Sequence, residues 1–450
     1  MPEVKVSGRA STDAAAAPSC RFCAARLELT FIDLGMSPLC ERFLDADESR
    51  LMEPFYPLRV LACEQCYLVQ LEAVVPPEEI FTEYAYFSSY SSSWVEHARR
   101  YVEMVRARLA LGPDDFVVEL ASNDGYLLQH FLGSGIPVLG IDPAANVVKA
   151  AEERGVPTLV RFFGRETATE LAGQGRCASL VIGNNVIAHV PDLNDFVGGV
   201  KIILRESGTA TFELPHLLRL LAGVQYDTIY HEHFSYFSFM TIVRIMGAHG
   251  LEVYDVEELP THGGSLRVYA QHAGGPREIT AAVAALLARE EAEGLGSPER
   301  YARFRKDVVE SKRSLLDLLI RLRREGKHVV GYGAPGKANT LLNYCGIRAD
   351  LLDYTVDRNP YKHGLFTPGT HIPIHPPEMI SETRPDYVVA LPWNLLDEIS
   401  RQLTYIGKWG GRLIVPIPTA RVVELTARRI RAKPRGVERA ANSTTHGPVQ

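Results

Sequence analysis

Phe116-Val117-Val118-Glu119-Leu120-Ala121-Ser122-Asn123-Asp124-Gly125 decides the fold of this chain. A short apolar run ends in an acid and then in small or turn-forming residues. This is the signature of a strand that turns tightly into a helix N-terminus. Apolar runs recur downstream at 137–141, 158–162, 180–183 and 209–214, separated by helical stretches. Strands alternating with helices predict a doubly wound parallel sheet. A helix is expected just upstream, over 94–111. A late pair of strand-like runs, 251–256 and 265–270, flanks Pro260-Thr261-His262-Gly263-Gly264.

A second α/β unit begins at His328-Val329-Val330-Gly331-Tyr332-Gly333 and continues in runs at 352–356, 387–391 and 412–416. Between the units, about 277–325 reads as one long charged helical stretch, a spacer or a packing helix. The expected organisation is a disordered leader (1–18), a cysteine module (19–80), a first α/β domain (81–275), a helical linker (276–326), a second α/β domain (327–432) and a disordered tail (433–450). Leader and tail are too polar to bury a core.

The cysteine module carries Cys20-Arg21-Phe22-Cys23 and Cys63-Glu64-Gln65-Cys66. Two CxxC pairs can hold a tetrahedral Zn²⁺, and four thiolates leave no open position for water or substrate. The metal reads as a structural brace; unpaired thiols are the alternative. Cys40 lies between the pairs without a knuckle partner and is left out of the ligand set.

Composition narrows the class. The chain has 450 residues, 46% of them hydrophobic, and a formal net charge of −6. That balance argues against a nucleic-acid partner, which wants a basic face. No run is apolar and long enough to span a bilayer, and Met1 to Ala17 lacks the apolar segment of a signal peptide. A cytoplasmic enzyme is the natural expectation, with seven cysteines favouring metal or free thiols over disulfides. No feature sets an oligomeric state.

Three segments of the first unit suggest a nucleoside site. Glu119, Ala121, Asn123 and Gly125 form the turn. Asp142 ends the second strand, where a carboxylate can accept both ribose hydroxyls. Asn184 and Asn185 follow the fourth strand in Gly183-Asn184-Asn185-Val186-Ile187-Ala188-His189-Val190. The Glu-x-Ala-x-Asn-x-Gly pattern also suits a dinucleotide site, or a plain turn with a solvated Asp142. The pattern resembles the acidic–small–small loop of class I S-adenosylmethionine methyltransferases, whose glycines stand where Ala121, Asn123 and Gly125 stand here.

A dense titratable cluster, Tyr230-His231-Glu232-His233-Phe234-Ser235-Tyr236-Phe237-Ser238, follows the fifth strand. If extended, it places Tyr230, Glu232 and Phe234 on one side and His231 and His233 on the other. One histidine can then act as a base beside an orienting phenol or carboxylate. His-x-His can instead hold a metal, or both histidines can be structural. In the second unit, Gly331-Tyr332-Gly333-Ala334-Pro335-Gly336-Lys337 can bind a phosphate through backbone amides and the ammonium, with Asp357 near a ribose position. The alternative is a packing domain with a tight turn.

With these motifs in order, residues 19–430 resemble the bacterial C-methyltransferases of deoxyketosugar nucleotides. Further matching stretches are Asn184-Asn185 with Ala188-His189-Val190-Pro191, Glu232-His233-Phe234, Val356-Asp357-Arg358-Asn359-Pro360-Tyr361-Lys362 and Leu391-Pro392-Trp393-Asn394. The resemblance implies a class I methyltransferase Rossmann-like domain, a second Rossmann-like α/β domain and a small N-terminal zinc module. It implies S-adenosylmethionine as cofactor and structural Zn²⁺ on Cys20, Cys23, Cys63 and Cys66. His233 is the implied base, with Glu232 and Tyr230 assisting and His231 the competing base. Tyr84 and Tyr86 belong to an aromatic loop that covers the site; with Gly333, Lys337 and Asp357 they are the expected substrate contacts.

The expected reaction is deprotonation of a carbon next to a ketone in a nucleotide-linked 4-keto-deoxysugar, then methylation of the enolate. Antibiotic-sugar members carry an acid where this chain has His231, which points to a surface-polysaccharide sugar or another keto compound. Competing readings are transfer to oxygen or nitrogen, a non-catalytic S-adenosylmethionine or nucleotide sensor, and a nicotinamide oxidoreductase built on the second glycine loop.

Overall fold

The computed structural model describes residues 18–72, 75, 76 and 87–424. Tyr84, Tyr86, the tail and all of the leader except Pro18 lie outside the described residues. Strands are numbered in chain order. The N-terminal sheet runs β1 (Leu29–Ser37), β2 (Tyr56–Ala62), β3 (Val69–Leu71) and then β9 (Ser235–Tyr236) from far downstream.

The central sheet has seven strands around β4 (Val117–Leu120), whose four residues are all buried. That continuous apolar run is what a strand covered on both faces requires. On one side lie β5 (Val138–Asp142) and β6 (Thr158–Val160). On the other lie β7 (Ala178–Asn184), β8 (Leu204–Pro215), β11 (Ser265–His272) and β10 (Leu251–Leu259). All pairings are parallel except β8–β11 and β10–β11. The late pair is thus an antiparallel edge, with the last strand inserted beside the fifth. Chain order reverses at β4, so the loops after β4 and β7 open one crevice.

The second parallel sheet is β14 (Ile374–His375), β13 (Thr355–Val356), β12 (Val329–Tyr332), β15 (Tyr387–Ala390), β16 (Arg412–Val415) and antiparallel β17 (Arg421–Val423). The run at 352–356 shrinks to two strand residues. The stretch at 277–325 is two helices, Ala281–Ala292 and Pro298–Arg324, with Gly294-Leu295-Gly296 between them. The longer one is a packing helix. It buries Tyr301, Phe304, Val308, Leu315 and Leu319, and Phe31 of β1 stacks on Phe304 at 5.0 Å.

The N-terminal module straddles both α/β units. Leu27, Leu61 and Leu68 join the core of the central sheet. Phe31, Leu58 and Val60 join a second core shared with the Pro298–Arg324 helix and the C-terminal unit.

The shorter helix carries Glu290, which is fully buried. His216 Nε2 lies 2.6 Å from its carboxylate. The same carboxylate accepts from the amides of Phe239 (2.7 Å) and Met240 (2.8 Å), which open the helix Phe239–Ala248. Glu290 therefore satisfies helix-terminal donors that β9 and its turn leave exposed to the core. Glu290→Ala should lower the unfolding free energy by about 3–5 kcal/mol in a urea titration, the scale for removing one partner of a buried pair. A loss below about 1 kcal/mol would mean that water replaces the carboxylate without strain.

Candidate active site and metal centre

Each CxxC pair makes the same turn. Cys20 O accepts from Ala24 N and Cys63 O from Tyr67 N, both at 2.9 Å. Ala24 and Tyr67 both sit at positive φ, 59° and 61°. The two knuckles face each other, with Cys20 Sγ 3.5 Å from Cys66 Sγ and Cys23 Sγ 3.5 Å from Cys63 Sγ. All four ligand atoms lie within 4.8 Å of one another. Thiolates at the vertices of a Zn–S tetrahedron stand about 3.8 Å apart, so the four sulfurs fit that ion. Cys40 is elsewhere, as its spacing suggested.

At the crevice, Ala121, Asn123 and Gly125 all adopt left-handed backbone, with φ of 53°, 50° and 75°. These are the positions where the resembling enzymes place glycine. The loop keeps its shape with two non-glycine residues in a region that disfavours a Cβ. Its neighbours hold it there. Asp142 Oδ2 accepts from Asn123 N and Oδ1 from Ala144 N, both at 2.9 Å. Ser88 N donates to Asn123 Oδ1 at 2.9 Å, and Ser89 and Arg154 both engage Asp124.

Three buried carboxyl groups therefore ring this loop. Burial, then the charges of Asp142 and Asp124, hold the Glu119 carboxyl well above the usual range. Burial also raises Asp142. The Asn184 amide is buried with no hydrogen-bond partner among the described residues. An acidic rim, a close-approach backbone and an unsatisfied amide fit a cationic nucleoside such as S-adenosylmethionine.

Across the crevice, the Tyr230–Ser238 segment is not extended at its start. His233 N donates to Tyr230 O at 3.0 Å, closing a turn. The expected alternation of side chains fails for that reason, and the two histidines separate. His231 Nε2 lies 3.2 Å from Pro57 O, with its ring edge-on to Tyr56, so it packs on the N-terminal sheet. Glu232 also turns away, with its carboxylate 3.7 Å from Cys40 Sγ. His233 faces the crevice, 4.1 Å from the Tyr230 ring and 4.7 Å from His189.

The protons of this site are set by burial. His233 Nδ1 is 2.9 Å from Thr228 O, so Nδ1 carries the hydrogen and Nε2 is left as the basic nitrogen. Burial, then neighbouring His189, pushes His233 well below its ordinary range. Burial takes His189 and His262 down to about 4. All three are neutral imidazoles near pH 7.

Besides Asn185, which the motif placed at the site, several residues that the motifs did not single out complete the crevice. Asn185, itself at φ 54°, donates its amide N to His262 Nε2 at 3.2 Å. Trp94 stacks on His97 at 4.9 Å and meets His262 edge-on at 5.1 Å. Glu213, buried at the end of β8, contacts His97 (2.8 Å) and accepts from Arg267 (2.8 Å) and Thr261 (2.9 Å). From the second unit, Trp393 Nε1 donates to buried Asp227 at 2.6 Å. The available signal was position: His189 and His262 stand in quoted loops at the strand ends that open the crevice.

The second glycine loop is closed rather than open. Ala334 N donates to Asp357 Oδ2 at 2.6 Å, and a Cβ on Gly333 would stand 2.6 Å from Pro392 Cδ. A Cβ on Gly336 would stand 2.7 Å from Glu41 Oε1.

Three family models match the chain: a zinc binding domain over 20–81, a methyltransferase domain over 94–256 and a C-methyltransferase C-terminal domain over 260–418. The chain is 36% identical over 404 residues to the C-methyltransferase NovU of Streptomyces niveus, covering 90% of this chain and 96% of NovU. The chain belongs to the C-methyltransferase family. Its enzyme is an S-adenosylmethionine-dependent C-methyltransferase with a zinc module, so the sensor and nicotinamide readings are set aside. A ubiquinone biosynthesis O-methyltransferase of Rhodopseudomonas palustris is 26% identical over only 20% of this C-methyltransferase and 36% of its own length. Among solved structures, PH0226 protein of Pyrococcus horikoshii aligns at 15% identity with a TM-score of 0.35, over 43% of this chain and 97% of its own. Magnesium protoporphyrin IX methyltransferase of Synechocystis with bound S-adenosylmethionine aligns at 16% with 0.30, over 40% and 81%.

Two outcomes follow for the C-methyltransferase. Purified protein should carry about one Zn per chain by metal analysis, and Cys63→Ser should lose the metal and lower the thermal midpoint. Metal-free protein with an unchanged midpoint would contradict this. Separately, burial and then the Glu41 charge push the Glu232 carboxyl up to about 8. Between its unfolded value near 4.5 and that level, the native state holds a proton the unfolded chain has lost. Stability should therefore fall as pH rises through this window, and Glu232→Gln should flatten that fall. Urea midpoints at about pH 5 and about pH 9 measure it; identical pH slopes for the two proteins would refute it.

Proposed function

We propose that this C-methyltransferase removes a proton from a carbon next to a ketone and methylates the resulting enolate, with a nucleotide-linked 4-keto-deoxysugar as acceptor. One observation carries the reading. His233 lies beside Tyr230 and His189 with its Nδ1–H fixed on Thr228 O, which leaves Nε2 unprotonated. A fixed neutral imidazole is the base that such a carbon acid needs.

S-adenosylmethionine supplies the methyl as an electrophile when bound. The residues proposed to hold it are Glu119, Ala121, Asn123, Gly125, Asp142, Asn184 and Asn185. Tyr230, packed on the His233 ring, is proposed to orient the acceptor. His189 and the neutral His262 keep the surroundings of the base free of cationic imidazole. Glu232 supports the turn from the Cys40 side rather than through its carboxylate at the base. The acceptor class rests on resemblance to the family, not on a contact in the site.

Incubation with labelled S-adenosylmethionine and a panel of nucleotide-ketosugars, with the label located by NMR, tests the acceptor. Label on oxygen or nitrogen would sink the carbon reading. His233→Ala should slow turnover by roughly 10²–10⁴-fold, the usual range for a general base. It should also suppress exchange of the acceptor's alpha proton with deuterated water while leaving S-adenosylmethionine binding intact. Exchange lost in His231→Ala but not in His233→Ala would reverse the assignment.

A further inference from the structure

The second unit brings a lysine to the seam with the methyltransferase unit, beside Trp393. Lys337 opens the helix Gly336–Cys345 but does not serve the glycine loop, whose approaches are closed by Asp357, Pro392 and Glu41. Its Nζ donates to Asn394 Oδ1 at 3.0 Å and lies 4.8 Å from the centroid of the Trp393 ring. Among the described residues, Asp227 is the only charge that favours its protonated form. Asp227 Oδ2 already accepts from Trp393 Nε1, at 2.6 Å. An ammonium has three N–H groups, and among the described residues one of them is engaged in a hydrogen bond.

Trp393 connects this ammonium to the base. A Cβ on Gly263 would stand 3.0 Å from Trp393 Cη2, so the indole edge abuts the residue after His262. The indole N–H holds Asp227, and the next residue, Thr228, holds His233 Nδ1 through its carbonyl. The charge of Lys337 is felt at both His233 and His262, where it helps to keep the rings neutral.

We infer that Lys337 is a catalytic residue of the proposed reaction: its ammonium faces the acceptor's ketone oxygen and stabilises the enolate. This rests on the reading given above. In the step, the alpha C–H bond breaks and its proton goes to His233 Nε2. The C–H electron pair forms the new carbon–carbon double bond, and the carbonyl π pair moves onto oxygen. The imidazolium then stands near an ammonium, an arrangement that is favourable only once negative charge develops on that oxygen. A preorganised donor at a developing oxyanion typically contributes about 10²–10³ in rate. Lysine as a phosphate clamp for the acceptor is the competing role.

The experiment compares K337M and K337R. With an acceptor that the panel shows to be turned over, K337M should slow alpha-proton exchange at saturating acceptor by about 10²–10³-fold. KM should change little, and K337R should restore part of the rate. Proton NMR of the substrate-free enzyme should show His233 and His262 titrating at higher pH in K337M than in wild type, and not in K337R. Unchanged exchange at saturation with a raised KM would overturn the inference in favour of a phosphate clamp. Unchanged histidine titration would overturn it by taking the ammonium away from the base. If wild type turns over no ketosugar of the panel, the proposed acceptor fails instead. The titration then still decides whether the cation faces His233.

Discussion

Two backbone pairings hold this enzyme's site together: Val69 with Tyr236, and Gln70 with Ser235. They add a strand from the Tyr230–Ser238 segment to the sheet of the metal module. Gln70 stands at the junction. Its side-chain amide donates to Cys20 Sγ at 3.2 Å and accepts from Arg21 N at 3.0 Å, while its backbone pairs with Ser235. Arg21 adds a fork, bonding both Leu71 O and Phe234 O. The four sulfurs thus fix the ground on which the Tyr230–His233 turn is built. The metal site is thereby tied, through Gln70 and Arg21, to the strand that follows His233.

A second constraint is repeated in both α/β units. Asp142, at the end of the second strand of its sheet, bonds the amide of Asn123 in the first loop and the amide two residues ahead of itself. Asp357 does the same with Ala334 and Asn359. In each unit, one carboxylate locks the loop after the first strand against the turn after the second. The units then diverge. The first leaves its crevice open behind a ring of carboxyl groups. The second fills its loop with Pro392 and Glu41 and turns its lysine outward to the neighbouring unit.

The strands, the small-residue loop and the CxxC knuckles were legible because each is a local pattern. Apolar runs alternate with helical stretches, and the left-handed positions fall on Ala121, Asn123 and Gly125, where the motif placed small or turn-forming residues. What was not legible depends on distant partners. The side-chain alternation that an extended Tyr230–Ser238 would give does not arise, because Tyr230–His233 is a turn and β9 begins only at Ser235. Residue chemistry alone leaves His231 and His233 equivalent, with only the family resemblance favouring His233; their hydrogen bonds to Pro57 O on one side and Thr228 O on the other make them different. Trp393 and Asp227 stand 166 residues apart, and no local pattern announces their hydrogen bond.

That hydrogen bond has a consequence for how such enzymes diversify. The indole reaches across from the C-terminal unit to the stretch that holds His233. The two α/β units are therefore not interchangeable modules. Removing the indole would leave buried Asp227 without the donor that the C-terminal unit supplies, so a grafted C-terminal unit fits this methyltransferase domain only if it keeps that tryptophan.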